Sequence, residues 1–135
     1  MNIKTIASWI LRIVAAIILL QTLYFKFTAH PESVELFTKL GVEPWGRIGT
    51  GIIELMTSIL LLVPATIFVG AFIGTGLMAG AILSHLTVIG IESKGDGGQL
   101  FMLAIIVFFI CLVIMLLHKQ QGIAMYNKIF KKQSL

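Results

Sequence analysis

Ionisable side chains lie inside apolar segments of this sequence, and Glu54 is the clearest case. It lies in the run GTGIIELMTSILLLVP, residues 49–64, which holds no other charged residue. Arg12 interrupts an earlier apolar run and Lys26 directly follows it. His85 lies near the end of a later run. A charge inside a bilayer costs about 2.5–3.5 kcal/mol on insertion scales, so we expect these groups to be paired, neutralised or in contact with water.

A carboxylate and an imidazole at one depth can accept and deliver protons, and a nearby cation can stabilise an anion that develops on a ligand. Glu54 and His85 are therefore the candidate catalytic residues. The candidate ligand-binding residues are the polar side chains expected to face one interior, namely Arg12, Lys26, Arg47, Glu54, Thr57 and His85. The alternative is that these residues are structural. Glu54 would then form an ion pair with Arg12, Lys26 or Arg47 that fixes helix register, and His85 would be a hydrogen-bonded interior histidine.

Length and composition place these residues in a membrane. The chain has 135 residues, of which 58% are hydrophobic and 12% charged, with a mean hydropathy of +1.01. A soluble domain of this size cannot bury so much apolar surface. A membrane-spanning helix needs about 20 mostly apolar residues. The sequence therefore predicts an all-α, four-helix membrane domain over residues 1–117, with spans at about 6–25, 45–63, 65–91 and 100–117.

Helical spacing predicts which side chains face the interior. Steps of three and four from Glu54 give one polar or small stripe on the second span, and a similar stripe on the first span contains Arg12 and Lys26. At about 1.5 Å of rise per residue, Glu54 and His85 each lie about 10 Å from the outer ends of their spans, so they are level. Gln21 has a suitable height but lies about 180° around the helix from Arg12, and is left outside the predicted site.

The segments outside the spans have their own patterns. Pro31 and Gly41 bracket a predicted short extramembrane helix, with Val34, Phe37 and Leu40 on one stripe. We expect it to cover the outer mouth of the bundle, and a plain surface helix is the alternative. The segment 118–135 is basic and predicts an interfacial helix on anionic lipid.

Lysine and arginine counts predict the orientation. The C-terminal segment holds lysines and no acid, whereas the first long loop balances its bases with glutamates. By the positive-inside rule, both termini are expected in the cytoplasm and the multi-pass chain in the plasma (inner) membrane. The net charge of +4 then needs no nucleic acid as a partner.

Several kinds of chemistry lack the residues that they require. Cys111 is the single cysteine and has no CxxC partner, which excludes an intrachain dithiol mechanism. The histidines His30, His85 and His118 are scattered, so no metal site is expected. No glycine-rich phosphate loop is present, and no nucleotide cofactor is expected. Small residues at four-residue spacing in the third span, Gly70, Gly74, Gly76, Gly80 and Ser84, favour close helix packing, with a homo-oligomer contact as the second interpretation.

Two ordered motifs resemble the DoxX-like family of small bacterial four-helix membrane proteins. They are FKFTAHPESVELFTKLGVEPWGRIGTGIIELMTSILLLVP and, later, MAGAILSHL. The resemblance covers about residues 10–117. It implies a four-helix bundle and a link to membrane redox systems, in which quinone is the implied ligand and redox proteins are the implied partners.

The resulting hypothesis is a membrane subunit of a redox system that binds a quinone or a similar lipid-soluble ligand in the outer half of the bundle. The sequence encodes no redox centre, so whether the chain is an enzyme is left open. The alternative is a non-catalytic scaffold or assembly subunit whose buried charges are structural. A small-solute transporter is a third and weaker interpretation, because four short helices would have to oligomerise to build one.

Overall fold

The computed structural model describes residues 2–93 and 95–131, and every regular element in this part of the chain is a helix. The α-helices are α1 Ile3–Phe27, α2 Pro31–Lys39, α3 Trp45–Leu62, α4 Ile67–Ser84, α5 Gln99–Leu117 and α6 Lys119–Phe130. A 3₁₀ turn, Pro64–Thr66, precedes α4, and a π-helical turn, His85–Ile89, extends it.

Four of these segments are long and apolar enough to span a membrane. They are Ile3–Phe27, Trp45–Leu62, Pro64–Ile89 and Gln99–Leu117. The predicted all-α fold with four spans and a short helix in the first loop is therefore confirmed. The first span begins before the predicted residue 6 because the Asn2 side chain accepts a hydrogen bond from the Thr5 N–H at 2.9 Å and caps the helix there.

The four spanning helices form a closed antiparallel ring. α1 packs against α3 and α5, and α4 packs against the same two helices. We call the end that carries α2 and the 90–98 loop the loop end. The terminal end carries the N-terminus of α1, the turn Pro64–Thr66 and α6. The buried core between the two ends is apolar and comprises Ala15, Leu19, Leu61, Ile67, Ala71, Met78, Ala104, Val107, Cys111 and Ile114.

Glycines in α4 allow close contacts with the neighbouring helices. A Cβ added to Gly70 would lie 2.9 Å from the backbone nitrogen of Leu61, and one added to Gly74 would lie 2.7 Å from Cys111 Sγ. Gly76 and Gly80 differ, because an added Cβ would meet no atom within 4 Å. The small residues of α4 thus serve packing in its first half and leave open space in its second half.

The outer surface of the ring is apolar, as a lipid environment requires. Ile17 is 59% exposed, Phe72 62%, Phe109 57% and Leu116 65%. Large side chains this exposed along spanning helices belong in contact with acyl chains, since water would penalise each of them.

Gln121 of the tail helix α6 forms hydrogen bonds with the terminal end of the bundle. The Gln121 side chain donates to the Pro64 carbonyl at 2.8 Å and accepts from the Phe68 N–H at 2.7 Å. The apolar side chains of the predicted interfacial helix are exposed here, including Ile123, Tyr126, Ile129 and Phe130.

Candidate functional site

A cleft of about 840 Å³ opens at the loop end of the bundle. All four spanning helices line it, together with α2 and the 90–98 loop. Leu36 and Phe37 of α2, and Leu40 directly after it, line the cleft, so α2 lies over the mouth of the bundle. The volume of the cleft lies within the range of small-molecule sites, about 300–1,000 Å³. Its walls are largely apolar, and the polar side chains among them include Gln21, Thr22, Lys26, Glu54, His85 and Gln99.

Glu54 pairs with Lys26 in this cleft. Lys26 Nζ lies 3.1 Å from Glu54 Oε2, and both side chains are largely buried. The Thr22 hydroxyl donates to the same carboxylate oxygen at 3.0 Å. Because α1 and α3 are antiparallel neighbours, the last turns of α1 lie beside the middle of α3. The carboxylate therefore has a counter-ion and a neutral donor, both from α1.

His85 begins the π-helical turn His85–Ile89 and lines the same cleft. Its Nδ1 lies 2.9 Å from the Gly90 carbonyl oxygen. A carbonyl can only accept, so Nδ1 carries a proton, and in the neutral ring Nε2 is the remaining acceptor. The Phe101 ring lies beside the imidazole, with centroids 5.6 Å apart. The ring is thus held by one hydrogen bond and one aromatic contact.

Asp96 fixes the 90–98 loop that borders the cleft. Its carboxylate accepts backbone N–H bonds from Ser93, Gly98 and Leu100, at 3.0, 2.8 and 3.2 Å. Burial raises the pKa of Asp96, but these three donors and the nearby His85 together lower it below its usual value. The carboxylate therefore stabilises the loop at pH values above the ordinary aspartate pKa, and this contribution is lost as the pH falls below it.

Three of the predicted site residues lie in the cleft, namely Lys26, Glu54 and His85. Arg47 lies outside it. Its Nε donates to Glu43 Oε1 at 2.8 Å, and its Nη1 donates to the Lys26 carbonyl. Thr57 is fully buried in the core, where its hydroxyl donates to the Ile53 carbonyl. Arg47 thus finds its counter-ion one helical turn away and is not the partner of Glu54.

Arg12 lies at the opposite end of the bundle. It precedes Lys26 by fourteen residues, which is about 21 Å along α1. An arginine side chain cannot bridge that distance. Its guanidinium instead donates to the carbonyls of Leu61 and Leu62. The expectation that Arg12 reaches toward Glu54 is corrected by this placement.

Gln21, which we left outside the predicted site, lines the cleft. The cleft borders a wide arc of α1 that includes Ile18, Thr22 and Phe25, so side chains on well-separated faces of the helix reach it. A glutamine within an apolar run was the available signal. Within residues 2–93 and 95–131, no group of His, Cys, Asp and Glu is arranged to hold a metal ion.

Comparisons with known proteins give one match. Residues 10–115 match the DoxX-like family, which is close to the range of about 10–117 over which the sequence resembles that family. No curated protein and no solved structure matches the chain. The family match covers far more than half of the sequence and agrees with four apolar spans around one bundle, so the chain is a membrane protein that belongs to the DoxX-like family.

Proposed function

We propose that the chain is an integral membrane subunit of a redox system and that it binds a quinone, or a similar small lipid-soluble ligand, in the loop-end cleft. One observation carries the proposal. A cleft of ligand size with apolar walls brings an ammonium, a carboxylate and an imidazole together, from Lys26, Glu54 and His85. A quinone headgroup presents two carbonyl acceptors on an apolar ring. Such a cleft supplies hydrogen-bond donors for the carbonyls and apolar contacts for the ring.

The residues take different roles in this proposal. Reduction of a quinone to a quinol takes two electrons and two protons. Lys26 stabilises the negative charge that develops on a quinone oxygen. The Glu54 carboxylate and His85 Nε2 first take up a proton each from water and then pass it to a reduced quinone oxygen. The electrons come from a partner redox protein, because no redox cofactor is encoded in the motifs of this chain.

The second half of α4 offers a route for a ligand tail. Gly76 and Gly80 line the cleft, and open space lies beside both. Without side chains, this stretch of wall lets an apolar tail leave the cleft toward the lipid. Ser84, which also lines the cleft, extends the small-residue face by one turn.

A specific observation favours the alternative, a non-catalytic scaffold. In the described part of the chain, every side-chain nitrogen or oxygen atom that is completely shielded from solvent has a hydrogen-bond partner. Glu54 is satisfied by Lys26 and Thr22 without any ligand. In that case the pair fixes the register of α1 against α3, and the face of Gly76, Gly80 and Ser84 docks a second copy of the chain.

Quinone titration separates the two functions. We expect the protein, purified in mild detergent, to bind one short-chain ubiquinone, measured by calorimetry. Glu54→Gln keeps the shape of the side chain and removes its charge, so the ion pair that holds the Lys26 ammonium in the cleft is lost. A hydrogen bond from a charged donor such as Lys26 contributes about 1.5–3 kcal/mol. The variant should fold and bind the quinone at least tenfold more weakly, or with an altered pH dependence.

Glu43→Gln is the matched control, because its carboxylate also pairs with a base but does not line the cleft. It should leave the quinone affinity unchanged. Absence of binding to the parent protein, or equal weakening by both substitutions, would contradict the quinone site. Unaltered affinity in Glu54→Gln with lowered stability would support the scaffold.

The proposal also places the chain in the inner membrane with both termini in the cytoplasm. Its basis is the acid-free basic segment after Leu117. In a Cys111→Ala background, Glu92→Cys should react with an impermeant thiol reagent in intact cells, and Lys128→Cys should not. The reverse labelling pattern would move the loop end to the cytoplasmic side.

A further inference from the structure

A second pocket, of about 460 Å³, lies at the terminal end, on the far side of the core from the cleft. Its ionisable lining residues are Lys4, Arg12 and His118, and none of its lining residues is acidic. The remaining lining includes Ser8 and Trp9 of α1 and Pro64 of the turn before α4. The pocket is therefore a concave site with a positive potential.

Arg12 is the most buried charge in this pocket. Its side chain is 2% exposed, and its guanidinium lies 4.0 Å over the Trp9 ring. Nε and Nη2 donate to the carbonyls of Leu61 and Leu62. No carboxylate of residues 2–93 and 95–131 forms an ion pair with it. Of the five N–H donors of the guanidinium, three have no partner among the described residues.

A buried cation without a counter-ion is costly, and dipoles or a ring face compensate it only in part. Glu54 and Glu43 meet this requirement for Lys26 and Arg47 at the loop end. Arg12 lacks such a partner in the described chain. An anion from outside the protein would complete its environment.

His118, on the other side of the pocket, experiences the same positive potential. Its Nε2 lies 2.7 Å from Ser8 Oγ. Burial lowers the pKa of His118, and the positive charges of Arg12 and Lys4 lower it further. Both effects favour the neutral imidazole, and an anion in the pocket would oppose the effect of both cations.

We propose that this terminal-end pocket binds a phosphate group, presented by the headgroup of an anionic phospholipid. The guanidinium donors of Arg12 suit phosphate oxygens, and Lys4 adds a flexible cation at the rim. The pocket lies where the spans end, beside Trp9, at the depth where indoles and headgroups meet.

Exposed apolar side chains favour a lipid as the source of the phosphate. Ile3, Ile6 and Ile10 are 85%, 45% and 57% exposed along α1, next to the pocket-lining residues Lys4, Thr5 and Trp9. Spacings of three and four place these isoleucines on one side of the helix, where acyl chains can lie against them. A free phosphate ion would gain nothing from this surface.

Native mass spectrometry of the delipidated full chain, titrated with dimyristoyl phosphatidylglycerol, tests the proposal. We expect one lipid to bind more tightly than the rest, and more tightly than dimyristoyl phosphatidylcholine. Lys4→Gln should weaken that first binding about fivefold, the effect of one basic residue on an anionic lipid. Lys128→Gln removes the same charge from the same end but outside the pocket, and should change nothing.

Arg12→Gln should weaken binding more than Lys4→Gln. Because Arg12 also bridges α1 to α3, that variant can unfold, and the exposed Lys4 keeps the test decisive. Equal affinities in Lys4→Gln, Lys128→Gln and the parent would overturn the site. Inorganic phosphate that displaces the lipid at millimolar concentration would overturn the lipid as the source and retain the anion site. Failure of the quinone titration has no bearing on either result.

Discussion

Lys26→Met is expected to lower the free energy of unfolding by about 3–5 kcal/mol, because it leaves the buried carboxylate of Glu54 without its counter-ion. The Lys26 and Glu54 side chains are only 12% and 6% exposed, so water replaces the lost partner only in part. The Thr22 hydroxyl remains as a donor and offsets a part of the loss. Reversible unfolding in mixed detergent micelles measures the change.

Two further variants isolate the pair. Lys39→Met makes the same substitution at a pair whose side chains are 51% and 45% exposed, and should cost at most about 1 kcal/mol. The double variant Lys26→Met with Glu54→Gln removes both charges, and should recover most of the stability lost in Lys26→Met. A single variant as stable as the parent, or a double variant no better than the single, would show that the pair is not the counter-ion system described here.

The choice of partner for Glu54 illustrates what the sequence could predict. Helical spacing placed Arg12, Lys26 and Arg47 on plausible faces and could not choose among them. Arg47 could nevertheless have been excluded as the partner of Glu54, because Glu43 stands four residues before it and this spacing favours an ion pair within one turn of helix. Arg12 could have been excluded as well, because it lies too far from Lys26 along α1 to reach the same depth. The fold itself was predictable because span length and hydropathy follow directly from bilayer thickness.

The shape of the cleft was not predictable in the same way. Periodicity gives the direction of a side chain from its helix axis, whereas a cleft depends on how far the neighbouring axes diverge. Gln21 faces away from Arg12 and still reaches the cleft, because the cleft borders a wide arc of α1. The π-helical turn at His85 has no periodic signature either, and it changes where the imidazole and the following loop lie.

The two polar sites are separated by the apolar core. Leu19, Leu61, Val107 and Ile114 are almost completely buried between them. Substitutions at the loop end should therefore leave lipid binding at the terminal end unchanged, and those at the terminal end should leave the cleft unchanged. The two proposals can be tested separately on one purified protein.

Gly70→Ala is expected to destabilise the bundle by about 1–3 kcal/mol, because the added methyl group has no room between α3 and α4. Its Cβ would lie 2.9 Å from the Leu61 nitrogen and 3.0 Å from the Leu60 carbonyl carbon. These are backbone atoms in the last turn of α3, just before the turn Pro64–Thr66. No side chain can rotate away, so the helices themselves must separate.

Gly76→Ala is the matched control for this packing, since it makes the same change on the same helix where no atom lies within 4 Å. Alanine favours a helix over glycine by about 0.5–1 kcal/mol, so this variant should be slightly more stable than the parent. Gly74→Ala falls between the two, because its Cβ meets the Cys111 sulfur at 2.7 Å, and Cys111→Ala should relieve that contact. Cys111→Ala should not rescue Gly70→Ala. Equal stabilities for the alanine variants at 70 and 76 would mean that α3 and α4 are not held at this separation, and the close approach of the two helices would have to be abandoned.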